Sequence, residues 1–118
     1  MMELHQFALY QLKDLPENRL IRFRPYETLQ KQNIQVRCEN YEQKYIGQMG
    51  EGDTPASIRK RFDEHPPRSF GGHSISVSDV LVLNHQGEVT SYYVEKDGFV
   101  VIAGFIRTGS SSALISFD

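Results

Sequence analysis

The 118-residue chain has very little cysteine and no tryptophan. Its one cysteine, Cys38, has no second cysteine with which to form an internal disulfide, and this is typical of proteins that fold in a reducing cytoplasm. No apolar run approaches the roughly 20 residues that span a bilayer. Residues 1–6 lack the basic and apolar stretches of a secretory leader. We therefore expect a cytoplasmic protein that does not enter a membrane.

A large excess of one charge is also missing. The net charge is −2 and the isoelectric point is about 6.1, which excludes a strongly basic protein that coats DNA. Residues 1–68 contain 11 of the 13 Lys and Arg residues and 10 of the 15 Asp and Glu residues, so the second part of the chain is mildly acidic. A mixed surface of this kind suits a protein partner at least as well as a nucleic acid.

The hydrophobic pattern predicts one domain of the α+β class. With 39% hydrophobic and 24% charged residues, the composition is that of an ordinary globular protein. In residues 5–13 both alternating sets of positions are largely apolar, which predicts a first strand that is buried on both faces. The remaining elements are a helix, a second strand, a second helix and a three-stranded antiparallel meander. In order, the predicted elements cover residues 5–13, 26–33, 41–49, 56–64, 80–83, 89–95 and 99–102.

This order favours a single, mostly antiparallel sheet that ends in the meander and carries two short helices. We place the domain at residues 1–107 and a Gly/Ser-rich C-terminal tail at residues 108–118. Residues 19–24 either pair with the first strand or lie over it as a short extended piece. The alternation of residues 74–79 indicates an extended segment that leads into the meander.

Residues 73–79, with Asp97, supply the residue types of a hydrolase triad. The chain has no G-x-S-x-G turn, however, and nothing indicates an oxyanion hole. Polar side chains before a strand more often bond to loop backbone. We therefore expect His73, Ser76, Ser78 and Asp79 to tie the Gly71–Gly72 loop to the meander, and we do not expect an enzyme.

Metal and phosphate motifs are absent from the sequence. The sequence has four histidines, His5, His65, His73 and His85. Together with Cys38 they show none of the usual spacings of zinc ligands. Gly71–Gly72 is not followed by the Lys-Ser/Thr pair of a phosphate-binding loop. We expect no metal, no cofactor and no small-molecule substrate.

Two basic clusters are the candidate contact residues. The first consists of Arg19, Arg22 and Arg24, interleaved with apolar residues, and the second consists of Arg59, Lys60 and Arg61 on the second helix. Arginine binds phosphate or carboxylate oxygens in a bidentate fork. The alternative is a solvated helix face and a charged edge that discourages aggregation. Six tyrosines could add to an interface, although some of them must lie in the core.

Several segments together resemble the YodL-like domain family. The opening residues 6–13 (QFALYQLK), Arg22–Phe23 and Asn40–Tyr41 resemble the start of such domains. Residues 70–83 (FGGHSISVSDVLVL) resemble the most distinctive segment of the family. The resemblance continues through residues 93–94 and 98–99 and spans about residues 6–105.

The resemblance implies a function that the residues alone do not. Members of the family occur largely in bacterial plasmids and conjugative elements, and small stand-alone members resemble anti-CRISPR proteins that inhibit a type II effector nuclease. It therefore implies a protein of a mobile element that binds this nuclease or its guide RNA complex and blocks guide assembly or target DNA engagement. We expect the six residues of the two basic clusters to contact the partner. Replacing Arg59, Lys60 and Arg61 together with Ala should therefore weaken inhibition.

Two other functions remain open at this point. The domain is alternatively an accessory protein-interaction module of plasmid maintenance or transfer that has no nuclease target. A third hypothesis is an RNA-processing enzyme that shortens the guide, for which His73 and Asp79 would be the decisive residues.

Overall fold

A computed structural model describes residues 5–106 of the chain, so the predicted tail lies outside the described residues. Within that range the strands are β1 (His5–Leu12), β2 (Tyr41–Gln48), β3 (Val80–His85), β4 (Glu88–Val94) and β5 (Phe99–Ile102), and the helices are α1 (Tyr26–Lys31) and α2 (Pro55–Glu64). The five strands form one sheet in the order β2-β1-β3-β4-β5, and every neighbouring pair is antiparallel. The α+β prediction, with a single sheet that ends in a meander, is confirmed.

The sheet is the middle layer of the molecule. One face packs against α1 and the loops around it, where Leu29 and Ile21 belong to the same buried cluster as Ala8, Val82 and Tyr93. The other face packs against α2, whose Ile58 and Phe62 belong to a second cluster with strand side chains such as Phe7, Leu9 and Leu81. The central strands β1 and β3 are therefore covered on both faces, which is why their sequences are apolar at consecutive positions.

The hairpin between β3 and β4 follows from its two turn residues. Gln86 and Gly87 both have positive φ, at 53° and 94°, as a two-residue type I′ turn requires. The Gly87 amide donates to Asn84 Oδ1 at 2.7 Å, which fixes the turn. This geometry places Val80 opposite Tyr93 and confirms the first two strands of the meander.

The helix boundaries also follow from local sequence. Thr54 Oγ1 accepts from the Ser57 amide at 3.1 Å, and Ser57 Oγ accepts from the Thr54 amide at 2.9 Å, which together form a capping box at the start of α2. Asn33, two residues after α1, has a φ of 57°, as expected for a residue that tolerates the left-handed conformation. No helix within residues 5–106 is long and apolar enough to cross a membrane.

The expectation that residues 19–24 form an extended piece beside β1 is wrong. Pro16 starts a 3-10 helix, Pro16–Leu20, and a turn over residues 21–23 follows it. The buried Asn18 side chain holds this helix, because its Nδ2 donates to the carbonyls of Lys13 at 2.8 Å and Asn40 at 3.2 Å. The neighbours of β1 are instead β2 and β3.

Residues 74–79 lead into β3 as expected but do not join the sheet as a strand. Ser78 has a φ of 85°, and Asp79 Oδ2 accepts from the Ser76 amide at 2.9 Å. These two features turn the chain immediately before β3. Ile75 is nevertheless buried in the cluster under α2, so the alternating pattern correctly indicated an inward-facing side chain at this position.

Candidate partner-binding surface

Exposed apolar side chains are concentrated in one short loop. Within residues 5–106 four large apolar side chains are exposed: Leu15 (41%), Leu20 (58%), Phe23 (61%) and Val101 (64%). Three of the four fall in residues 15–24, which we call loop 15–24. Three exposed large apolar side chains within ten residues are more than the single scattered ones that are usual on a soluble domain. Loop 15–24 is therefore the strongest candidate for a binding surface in the described part of the chain.

The loop is anchored, although its tips face solvent. Besides the two hydrogen bonds of Asn18, Ile21 is 3% exposed and packs into the core cluster beside α1. The amides of Ile21 and Arg22 both donate to the Asn18 carbonyl at 3.0 Å. The exposed residues are thus held on a fixed backbone, which lowers the entropy that a partner must remove on binding.

Phe23 has an unfavourable backbone conformation. Its φ is 63°, which is rare for a bulky residue and costs roughly 1–2 kcal/mol relative to the right-handed region. The Phe23 amide donates to Ser78 Oγ at 3.1 Å, and the Ser78 carbonyl accepts from the Tyr41 hydroxyl at 2.8 Å. The strain is therefore supported by a buried hydrogen-bonded framework, while the ring that it positions is largely exposed. Strained residues of this kind cluster at functional sites.

The first basic cluster lies in the same loop. Arg19 and Arg24 are exposed, whereas Arg22 is half-buried, with its Nη2 3.5 Å from the Lys13 carbonyl. The Arg24 carbonyl accepts from the Tyr93 hydroxyl at 2.6 Å, which fixes the backbone at the end of the loop. Two exposed arginines therefore flank exposed Leu20 and Phe23 in the sequence, and arginine together with aromatic residues is a composition typical of binding hot spots.

The second basic cluster is more engaged within the protein. Arg59 is half-buried and its Nη1 donates to the Glu95 carbonyl at 2.7 Å. Arg61 forms a salt bridge with Asp53 at 2.8 Å, and Lys60 is exposed. A shallow cavity of about 440 Å³ lies beside this cluster, and its lining mixes Arg59 and Lys60 with the acidic residues Asp63, Glu64 and Asp97.

The two clusters lie on elements that pack against opposite faces of the sheet. Loop 15–24 packs against the face that carries Tyr93, and α2 packs against the other face. Glu95 bonds to residues near both clusters, because its Oε2 accepts from the Tyr26 amide at 2.7 Å and its carbonyl accepts from Arg59 Nη1. The grouping of the six basic residues into one set of contacts stays a prediction.

Gln11, His73 and Asp79 form a polar centre beneath the Gly71–Gly72 loop. The fully buried Gln11 donates from Nε2 to Asp79 Oδ2 at 2.9 Å and to the His73 carbonyl at 2.8 Å. Its Oε1 accepts from the His73 amide at 3.2 Å. A Cβ at Gly72 would overlap Gln11 Oε1, so glycine is needed for this close approach.

The Asp79 carboxyl has a perturbed acidity. Burial raises its pKa to about 6, although the hydrogen bonds from the Ser76 amide and Gln11 and the charges of His73 and Arg22 act in the opposite direction. Burial likewise raises the pKa of Tyr41 and Tyr93. A carboxyl with a shifted pKa suggests a catalytic group when it lies in an open cleft. Asp79 is instead 2% exposed, and its Oδ2 accepts two hydrogen bonds from the protein.

The serines near His73 also have internal partners. Ser76 Oγ donates to the Ser74 carbonyl at 2.8 Å, and Ser78 Oγ accepts from the Phe23 amide. His73 Nδ1 lies 2.8 Å from the Ser74 carbonyl oxygen and 3.2 Å from Gln11 Nε2. The link from His73 through Gln11 to Asp79 ties this loop to the start of β3, whereas the Ser78 side chain bonds to loop 15–24 and the Ser76 side chain bonds locally to Ser74. Within residues 5–106 no three His, Cys, Asp or Glu residues lie close enough to hold a metal together.

Sequence reasoning named Arg19, Arg22 and Arg24 but not the apolar part of this surface. Leu20 and Phe23 alternate with basic residues, a pattern that equally suits a half-buried strand. Pro16, which starts the 3-10 helix, was the available signal that this segment is not a strand.

The fold is thus a three-layer α+β domain, and loop 15–24 is the candidate contact surface of its described residues. The chain belongs to the YodL-like domain family, whose model matches residues 6–105. No curated protein and no solved structure matches the chain.

Proposed function

We propose that this domain is an anti-CRISPR inhibitor that binds a type II effector nuclease through loop 15–24 and acts by binding, without catalysis. The observation that carries the binding role is the concentration of exposed Leu15, Leu20 and Phe23 in one short loop that also carries exposed Arg19 and Arg24. Such a surface gains affinity from apolar burial and gains orientation from charge.

The choice of the nuclease as partner is supported by sequence resemblance. The opening residues resemble those of small stand-alone family members that look like anti-CRISPR proteins, and the segment at residues 70–83 resembles the most distinctive segment of the family as a whole. Family membership over residues 6–105 agrees with this proposal without specifying it. The nucleic-acid channel of such a nuclease is positively charged, so it would attract the acidic residues of this domain, whereas the arginines of loop 15–24 suit an acidic or apolar part of the nuclease surface.

An order-of-addition assay tests the proposal. Purified effector nuclease is mixed with this protein before or after the guide RNA, and target DNA cleavage is measured. Inhibition only when the protein is added first would indicate blocked guide assembly, and inhibition in both orders would indicate interference with DNA binding or cleavage. Absence of inhibition across several type II orthologues would overturn the proposal and favour the plasmid accessory role.

Variants identify the surface that acts. We expect Phe23→Ala combined with Arg19→Ala to weaken inhibition at least tenfold. Val101→Ala is the matched control, because Val101 is exposed to a similar degree but lies on β5. Equal losses from the loop variant and the control would remove loop 15–24 from the mechanism.

The α2 cluster is tested separately by replacing Arg59, Lys60 and Arg61 together with Ala. Weaker inhibition by a folded triple variant would add α2 to the contact surface, as the sequence analysis predicts, and unchanged inhibition would exclude the cluster. The same reactions report on RNA processing, because a guide that is shortened by this protein alone would establish an enzyme instead.

A further inference from the structure

Two histidines that are far apart in the sequence meet at one end of the sheet. His5 begins β1 and His85 ends β3, and the two residues are direct partners in the antiparallel register. Their Nδ1 atoms lie 3.1 Å apart, and their ring planes meet at 65°. Both residues are half-buried, so the rings are held by the strands and remain reachable from solvent.

The backbone explains why the rings approach so closely. The His5 carbonyl accepts from the Met49 amide at 3.0 Å, so the polar backbone groups of His5 face the β2 side. His5 and His85 therefore form a non-hydrogen-bonded pair, the kind in which facing side chains come closest. The sheet positions two imidazoles before any ligand binds.

We propose that His5 and His85 form a two-histidine site for a divalent transition-metal ion, with water completing the coordination. An ion bound by imidazole nitrogens at about 2.0–2.1 Å separates two such nitrogens by about 2.9 Å at a right angle and about 3.3 Å at the tetrahedral angle. The observed 3.1 Å between the Nδ1 atoms falls in this interval. Without metal, one ring donates a hydrogen bond from its Nδ1 to the other ring, and metal binding at both Nδ1 atoms would move that proton to Nε2 of the same ring, so that both imidazoles stay neutral.

The donor set selects the class of ion. Imidazole suits zinc, copper and nickel, whereas magnesium and calcium prefer carboxylate, carbonyl and water oxygens. The site has two protein ligands within the described residues, which is consistent with the absence there of any three-residue His, Cys, Asp and Glu group. The 80-residue separation of the pair also explains why spacing rules do not detect it.

Zinc titration followed by imidazole NMR tests the site on the whole protein. We expect a stoichiometry of one Zn²⁺ per chain, with the largest ¹⁵N shifts at Nδ1 of His5 and His85 and no response to Mg²⁺. His85→Gln should weaken Zn²⁺ binding at least tenfold. The matched control is His65→Gln, which removes an exposed histidine from the end of α2 and should bind like the natural sequence.

Two results would overturn the site. One is a Zn²⁺ shift pattern centred on His65 or His73, and the other is equal weakening by the His65 and His85 variants. The measurement on the unaltered chain decides the matter even if His85→Gln fails to fold. None of these outcomes depends on loop 15–24 or on nuclease inhibition.

Discussion

At the scale of single residues, Asp79 links stability to pH. Burial gives the folded protein a carboxyl pKa of about 6, above the value of about 3.9 for an unfolded chain. A folded state with the raised pKa binds the proton more tightly. Its stabilising contribution is therefore complete below about pH 4 and is lost as pH rises through 6, an effect of up to roughly 3 kcal/mol.

Replacement of Asp79 by Asn tests this linkage. An amide oxygen can accept from both Gln11 and Ser76, so Asp79→Asn should keep the hydrogen bonds and remove the titration. Urea unfolding at pH 4.5 and pH 7 should show a smaller decrease in stability for the variant than for the natural sequence. A parallel decrease in both proteins would assign the pH dependence to other groups.

Asp79→Ala has a different expected result. It leaves the Ser76 amide without its acceptor and removes one acceptor of Gln11, which should lower the free energy of unfolding by about 1–3 kcal/mol. We expect the melting temperature to decrease while the folded fraction still inhibits the nuclease. Normal melting together with lost activity would instead make Asp79 a functional residue.

Two substitutions of Phe23 distinguish its effect on stability from its effect on binding. Glycine adopts a φ of 63° without strain, but alanine does not, so Phe23→Gly should be more stable than Phe23→Ala by about 1 kcal/mol. Both variants remove the same exposed ring and should inhibit equally poorly. Chemical denaturation and the cleavage assay measure the two effects on the same samples. Better inhibition by the alanine variant would show that strain, and not the ring, matters.

At the scale of elements, α2 depends on its N-terminal cap. Thr54→Ala removes the acceptor for the Ser57 amide and should lower stability by about 1 kcal/mol, whereas Thr54→Ser keeps the hydroxyl and should restore most of it. Thermal melting of the two variants is the measurement. Identical melting of the alanine and serine variants would mean that the cap is dispensable, because Ile58 and Phe62 alone hold the helix.

The same elements show what the sequence could predict. Thr54–Pro55 predicted the start of α2, and the consecutive apolar residues of β1 predicted its burial on both faces, because these signals are local. Residues 19–24 were misassigned because the conformation of loop 15–24 depends on distant partners. Asn18 is held by the Asn40 carbonyl and Phe23 by Ser78, and no short-range pattern contains these contacts.

At the scale of the whole molecule, the strand order produces a gradient of protection. β1 and β3 lie in the middle of the sheet with both faces covered, and β2 and β5 form its edges. Amides of β1 and β3 should therefore exchange with solvent most slowly, and those of loop 15–24 should exchange faster. Fast exchange in β1 would contradict the packing of the three layers.

This gradient makes hydrogen exchange a direct footprint of the partner. Amides in β1 and β3 are already slow, so new protection on adding the effector nuclease must come from the surface or from weaker elements. If loop 15–24 is the contact, protection should rise there and leave residues 55–64 of α2 and the β5 edge unchanged. Phe23→Gly should abolish the change without altering exchange in β1. Protection confined to α2 would transfer the binding surface to the second basic cluster, on the opposite face of the sheet.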